Sequence, residues 1–187
     1  MLSGGSTPLV IYKKIAESPF PVDGKAVITY SDERLVPMDD NDNNFHQTEK
    51  MLKALRIKEE NVIRVQTELG HTEATEAFHD DLNNLLSTGK LPLGFLGMGT
   101  DGHTASLFTL KNVEEGEDKF ALAVTKEKPP HRISVTKKLL NQCGKIILLL
   151  TGVEKQPILK VLMENPDSIP AGKVLKDHPN VEVWVSA

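Results

Sequence analysis

The sequence predicts an α/β fold, a mostly parallel sheet flanked by helices on both faces in a Rossmann-like arrangement. Three observations carry this. Residues 26–30 (AVITY), 93–98 (LGFLGM) and 145–150 (KIILLL) are apolar nearly throughout instead of alternating, as strands covered on both faces are. Segments with helical spacing alternate with them. Glycine-rich or polar turns follow these strands, and open α/β sheets hold their ligands beyond the carboxyl ends of strands.

Each element has a local reason. Thr7-Pro8 reads as a helix start, with Thr7 as cap and Pro8 as first helical residue, followed by Leu9, Val10, Ile11 and Ile15. Pro19 and Pro21 end that helix before the first strand. Residues 31–44 are polar, contain Pro37 and read as a loop, with the acidic stretch 39–42 solvated. A helix is expected over 45–55, with Thr48, Met51, Leu52 and Leu55 on one face, and a short strand over 62–65. The clearest helix spans 72–86, where Ala74, Ala77, Phe78, Leu82, Leu85 and Leu86 fall at helical spacing and Gly89 stops it. After the strand at 93–98 come strand candidates at 120–124 and 133–135 and a short helix over 137–142. The strand at 145–150, a helix over 155–163 and a last strand at 181–185 complete the series, with Trp184 and Cys143 read as core residues.

Composition narrows the function classes. The chain has 187 residues, suited to a single domain over 1–187, and 39% of them are hydrophobic. Lys and Arg number 22 against 26 Asp and Glu, and neither half is strongly basic, which disfavours nucleic acid as main partner. No run of 18 apolar residues suggests a membrane span, and no signal peptide is visible, so a cytoplasmic location is expected. One cysteine precludes an intramolecular disulfide, and the six histidines lack metal-ligand spacing, so no metal is expected.

Four segments at strand ends can carry chemistry. Ser3-Gly4-Gly5-Ser6-Thr7-Pro8 opens a helix and could cradle a phosphate with hydroxyls and free N–H groups, or be an ordinary capped turn. Asp32-Glu33-Arg34 follows the first strand, and Arg34 could bind a phosphate or carboxylate with two prongs, or pair with Asp32 or Glu33. Gly97-Met98-Gly99-Thr100-Asp101-Gly102-His103 fits the G-x-G-x-x-G spacing of dinucleotide sites only weakly, since no second strand ends in the acidic residue such a site needs. Asp101 two residues before His103 is more informative, because a neutral His oriented by a carboxylate suits general base work near pH 7. Arg132 and Lys155, at later strand ends, could bind anions or be solvated charges.

Together these segments resemble the 6-phosphogluconolactonase family, related to the glucosamine-6-phosphate deaminases. The matching pieces are Leu2-Ser3-Gly4-Gly5-Ser6-Thr7-Pro8, Ser31-Asp32-Glu33-Arg34, the stretch from Leu96 through Asp101-Gly102-His103-Thr104-Ala105-Ser106-Leu107-Phe108, then Arg132-Ile133-Ser134, and Thr151-Gly152 with Lys155. The resemblance covers nearly the whole chain. It implies hydrolysis of 6-phospho-D-glucono-1,5-lactone to 6-phosphogluconate in the oxidative pentose phosphate pathway, without metal or organic cofactor. His103 would activate water and Asp101 would support it, with N–H groups around Gly99 at the oxyanion. Ser3, Gly4, Gly5, Ser6, Thr7, Asp32, Arg34, Arg132 and Lys155 would meet the phosphosugar lactone. Thr100, Asn43 and Thr109-Leu110 depart from the family pattern. A sugar-phosphate isomerase or deaminase, or a non-catalytic sugar-phosphate binder, are the alternatives. The resemblance also implies a strand and a long helix before Ser3 and a short helix after the last strand, which this sequence lacks. The expectation is therefore a central strand position with unpaired neighbours, or one filled by another segment or chain.

Overall fold

The computed structural model describes residues 1–186. Helices α1 (Ser6–Glu17), α2 (Asn44–Ala54), α3 (His71–Thr88), α4 (Leu110–Glu115), α5 (Lys137–Leu140), α6 (Gln156–Glu164) and α7 (Pro170–Leu175) surround eight strands. The strands are β1 (Ile28–Thr29), β2 (Asp32–Arg34), β3 (Val62–Ile63), β4 (Gly94–Gly97), β5 (Ala121–Val124), β6 (Arg132–Val135), β7 (Ile146–Thr151) and β8 (Val181–Ser186).

Two parallel ladders, β1–β3 and β4–β7–β8, are joined by the first two residues of the chain. The Met1 amino group donates to Leu93 O (2.8 Å) and Phe95 N–H donates to Met1 O (3.0 Å). On the other side Leu2 N–H donates to Thr29 O and Ser31 N–H donates to Leu2 O, both at 2.7 Å. Met1 and Leu2 thus occupy the position between β1 and β4, and the residues that follow leave the sheet as the glycine turn.

The sheet is covered on both faces, and neighbouring residues of one strand show it. Met1, Leu96, Ile146, Leu148 and Leu150 pack with Phe78 and Leu82 of α3 in one core cluster. Leu2 and Phe95 pack with Tyr12 of α1 and Met51 and Leu52 of α2 in another. Side chains alternate across a strand, so successive residues enter opposite cores, and each must be apolar.

A separate antiparallel sheet, β2–β6–β5, lies beside them. Here the structure corrects the expectation of a loop over 31–44. Asp32, Glu33 and Arg34 form a strand paired with β6, and the two carboxyl groups accept hydrogen bonds inside the fold. Helix α1 begins at Ser6 with Gly5 as its cap, two residues earlier than the Thr7-Pro8 signal suggested. Gly5 supplies this start with φ +105°, a conformation that L side chains rarely adopt. Helices α4 and α7, six residues each, carry no clear helical signal in the sequence. Trp184 is 53% exposed instead of core, because β8 pairs only with β7 and lies at the sheet edge. Cys143 is buried, as expected. Among the described residues no helix is long and apolar enough to cross a membrane.

Candidate active site

The turns after Leu2, β1, β4 and β7 converge on one cavity of about 310 Å³. Ser3, Gly4, Gly5, Ser6, Thr7, Asp32, Arg34, Gly99, His103, Arg132 and Lys155 all line it. Asp101 does not line it but hydrogen-bonds His103 from behind. Parallel strands deliver their carboxyl ends to the same edge of the sheet, which brings the turns after Leu2, β4 and β7 together, while Asp32, Arg34 and Arg132 come from the antiparallel β2–β6 pair.

His103 is carried by a loop closed on itself. Gly99 N–H donates to His103 O (2.9 Å), and Gly102 N–H donates to Gly99 O (3.0 Å). Gly102 takes φ +83°, and a Cβ there would lie 2.7 Å from Ile169 Cβ. Nδ1 of His103 lies 2.5 Å from Asp101 Oδ1. Partial burial pushes the Asp101 carboxyl up, but the hydrogen bonds and charge of His103 outweigh it and hold the carboxyl below its usual range. An ionised carboxylate can only accept, so Nδ1 carries the proton and a neutral His103 presents a bare Nε2.

Gly99 has a different role from the one expected. Its N–H is spent on the His103 carbonyl, so it is not free for an oxyanion. Its missing side chain is what matters, since a Cβ would lie 2.2 Å from His103 Nδ1 and 2.3 Å from Asp101 Oδ1.

Two arginines line the same cavity. Arg34 Nη1 donates to Asp42 O (2.6 Å), and the Arg132 guanidinium lies 5.3 Å from the centre of the Phe108 ring. Neither forms an ion pair among the described residues, and the Nε of each is buried without a partner. Burial, then the neighbouring Arg34, lowers Arg132 from its ordinary value, against a partial offset from Asp32 and Asp42. A guanidinium stays charged under such a shift. Phe108 also packs against His103, with ring centres 4.7 Å apart.

The remaining walls are polar. Helix α1 points its N-terminus at the cavity, and its cap makes no side-chain hydrogen bond. Thr7 Oγ1 and Thr151 Oγ1 pair at 2.5 Å, tying α1 to the end of β7. Ser3 Oγ is buried without a partner, and Tyr12 Oη fixes the Ser3 backbone by donating to its carbonyl (3.0 Å). Lys155 Nζ donates to Met98 O (2.8 Å), which leaves two of its three N–H bonds for the cavity.

Asp32 reaches the cavity, but both its oxygens are engaged, Oδ1 by Ser31 Oγ (3.0 Å) and Oδ2 by Ser106 Oγ (2.6 Å). It ties β2 to the loop carrying His103. The ion pair of Arg34 with Asp32 or Glu33 that the sequence left open does not form, because Glu33 turns into the core. Glu33 accepts from Arg34 N–H (2.8 Å), Asn44 N–H (2.7 Å) and Phe45 N–H (2.9 Å) and is fully buried. In the sequence Glu33 is only a possible ion-pair partner of Arg34, and Ser106 and Asn44 carry no site role. Their signal was three-dimensional, apart from the polar run adjoining an apolar strand. No group of three or more His, Cys, Asp or Glu side chains suited to a metal ion occurs among the described residues.

The chain is similar to known proteins along nearly its whole length. Residues 1–184 match the family model described as "Glucosamine-6-phosphate isomerases/6-phosphogluconolactonase". A protein named 6-phosphogluconolactonase from Haemophilus influenzae is 34% identical over 190 residues, covering 98% of this chain and 82% of that one. A human protein of the same name is 29% identical over 195 residues, covering 98% and 75%. The crystal structure of 6-phosphogluconolactonase from Thermotoga maritima superposes with a TM-score of 0.85 at 30% identity, covering 98% of this chain and 82% of that one. The match along the whole chain and the shared fold make this protein a member of the glucosamine-6-phosphate isomerase/6-phosphogluconolactonase family.

Proposed function

We propose that this protein hydrolyses 6-phospho-D-glucono-1,5-lactone to 6-phosphogluconate, in the oxidative pentose phosphate pathway. The observation that carries the reading is one cavity lined by His103, which Asp101 orients, and by Arg34 and Arg132, two cations without carboxylate partners. The base suits an acyl carbon under attack by water, and the two cations suit a phosphate.

Nε2 of His103 takes a proton from water as the water oxygen bonds to the lactone carbon. The carbonyl electrons move to its oxygen and form a tetrahedral oxyanion. Lys155, tethered beside the glycine loop, supplies positive charge to that oxygen in place of the Gly99 N–H. The oxyanion collapses, the bond from carbon to ring oxygen breaks, and His103 returns its proton to that oxygen. The resulting carboxylic acid loses its proton to solvent. Asp101 keeps Nδ1 protonated and stabilises the imidazolium between the two transfers. Arg34, Arg132 and the free N–H groups opening α1 hold the 6-phosphate, so that remote binding positions the ring for attack.

The test is hydrolysis of freshly generated 6-phosphogluconolactone, measured against its spontaneous rate, with glucosamine 6-phosphate as comparison substrate. Accelerated lactone hydrolysis that His103→Ala abolishes is expected. Ammonia release from glucosamine 6-phosphate without lactone turnover would favour the isomerase side of the family.

A further inference from the structure

We propose that Glu33 is a positioning residue, whose carboxyl group closes the loop that holds Arg34 for a phosphate-bearing substrate. This rests on the functional reading above and extends it to a residue outside the cavity.

Glu33 sits where both ends of a loop meet. Its Oε1 accepts from Arg34 N–H, just before residues 35–43, and from Asn44 N–H, just after them. Its Oε2 accepts from Phe45 N–H, in the first turn of α2. One buried carboxyl group thus accepts from the donors that begin a helix and clamps the chain on either side of the loop. The loop in turn grips the arginine: Asp42 O accepts from Arg34 Nη1 at 2.6 Å. Asp42 is fixed by its own N–H, which donates to Asp40 Oδ1 (2.8 Å). Asn44 Nδ2 donates to Asp32 O (2.8 Å), which ties the far end of the loop back to β2. The path from Glu33 to the guanidinium is therefore a closed ring of hydrogen bonds, and loss of the carboxylate opens it at both ends. A group that merely helped the chain to fold would change how much protein is folded. A positioning group changes how tightly folded protein holds phosphate.

The experiment compares Glu33→Gln and Asp40→Ala with the unsubstituted chain. The readouts are lactone kinetics, inorganic phosphate binding by calorimetry, and folded fraction by circular dichroism. Gln keeps the size but turns a donor toward backbone N–H groups. In Glu33→Gln, KM for 6-phosphogluconolactone and Kd for inorganic phosphate are each expected to rise about tenfold, with kcat per folded molecule within about twofold. Asp40→Ala loosens only the loop tip and is expected to raise both by about threefold. Unchanged KM and Kd, with activity falling only in step with the folded fraction, would overturn the inference. If Glu33→Gln does not fold, Asp40→Ala decides by the same criterion. Absence of lactone turnover in the unsubstituted chain would count against the functional reading, and phosphate binding would still decide this one.

Discussion

Arg34 and Arg132 are direct register partners across the antiparallel β2–β6 pair. Like charges placed opposite each other weaken a sheet. Here the cost is met by other contacts, with Arg34 bonded to the Asp42 carbonyl and Arg132 lying against Phe108. Both still keep a buried Nε without a partner. An anion between them would relieve the repulsion and fill the vacant donor positions together. Arg34→Ala or Arg132→Ala should each raise KM for the lactone by about tenfold or more, the worth of a charge-assisted hydrogen bond. Inorganic phosphate should raise the Tm of the unsubstituted chain, and the double variant should lose most of that rise. An equal phosphate-induced rise in the double variant would place the anion elsewhere. Lysine should rescue either position only in part, since it cannot reproduce the planar fork.

The Asp101–His103 pair makes a separate prediction. His103→Ala should lower kcat by about 10²–10⁴-fold, the usual worth of a general base. Asp101→Asn should lower kcat strongly as well, because an amide facing Nδ1 can favour the wrong tautomer. Asp101 is held below the usual carboxylate range, so it is ionised throughout the neutral region. Steady-state rates of the two variants against the unsubstituted chain check both, and a kcat within about twofold of normal in Asp101→Asn would mean that orientation of Nδ1 is not needed.

Gly99→Ala tests the geometry of that pair without removing either group. The added methyl would lie 2.2 Å from His103 Nδ1 and 2.3 Å from Asp101 Oδ1, so one of them must move. A displacement of about 1 Å at a reacting group costs on the order of 10²-fold in rate. The expected result is a loss of kcat of that order with phosphate binding unchanged. Retention of full kcat would mean that the Asp101–His103 contact is dispensable.

Much of this site was legible in the sequence because it lies at strand ends. The apolar runs at 26–30, 93–98 and 145–150 located the sheet, and the residues following them line one cavity. What was not legible follows one pattern. β2 reads as a loop because Asp32 and Glu33 are charged, and their burial depends on Ser106, Asn44 and Phe45, donors far away in the chain. Helices α4 and α7 are too short to show a period. Trp184 reads as core by type, and only the pairing order puts it on an edge strand. Gly99 reads as a backbone donor, and only the folded loop shows its N–H taken by His103.

Glu33 also predicts how stability should follow pH. Burial pushes its carboxyl up from 4.5; the N–H groups of Asn44, Phe45 and Arg34 pull it down, and neighbouring Asp32 adds to the rise, leaving it at about 7. The folded chain then holds a proton, between those two values, that the unfolded chain has released. The slope of stability with pH follows the difference in bound protons, so this contribution is full below the unfolded pKa and is lost as pH rises through the folded one. Glu33→Gln has no such titration but shares every other group. The Tm advantage of the unsubstituted chain over Glu33→Gln should accordingly be larger at about pH 5 than at about pH 8. Parallel thermal unfolding of the two proteins across that range measures it. A difference that stayed constant with pH, or grew toward alkaline pH, would mean that Glu33 is ionised in the folded chain throughout and that its three N–H donors outweigh its burial.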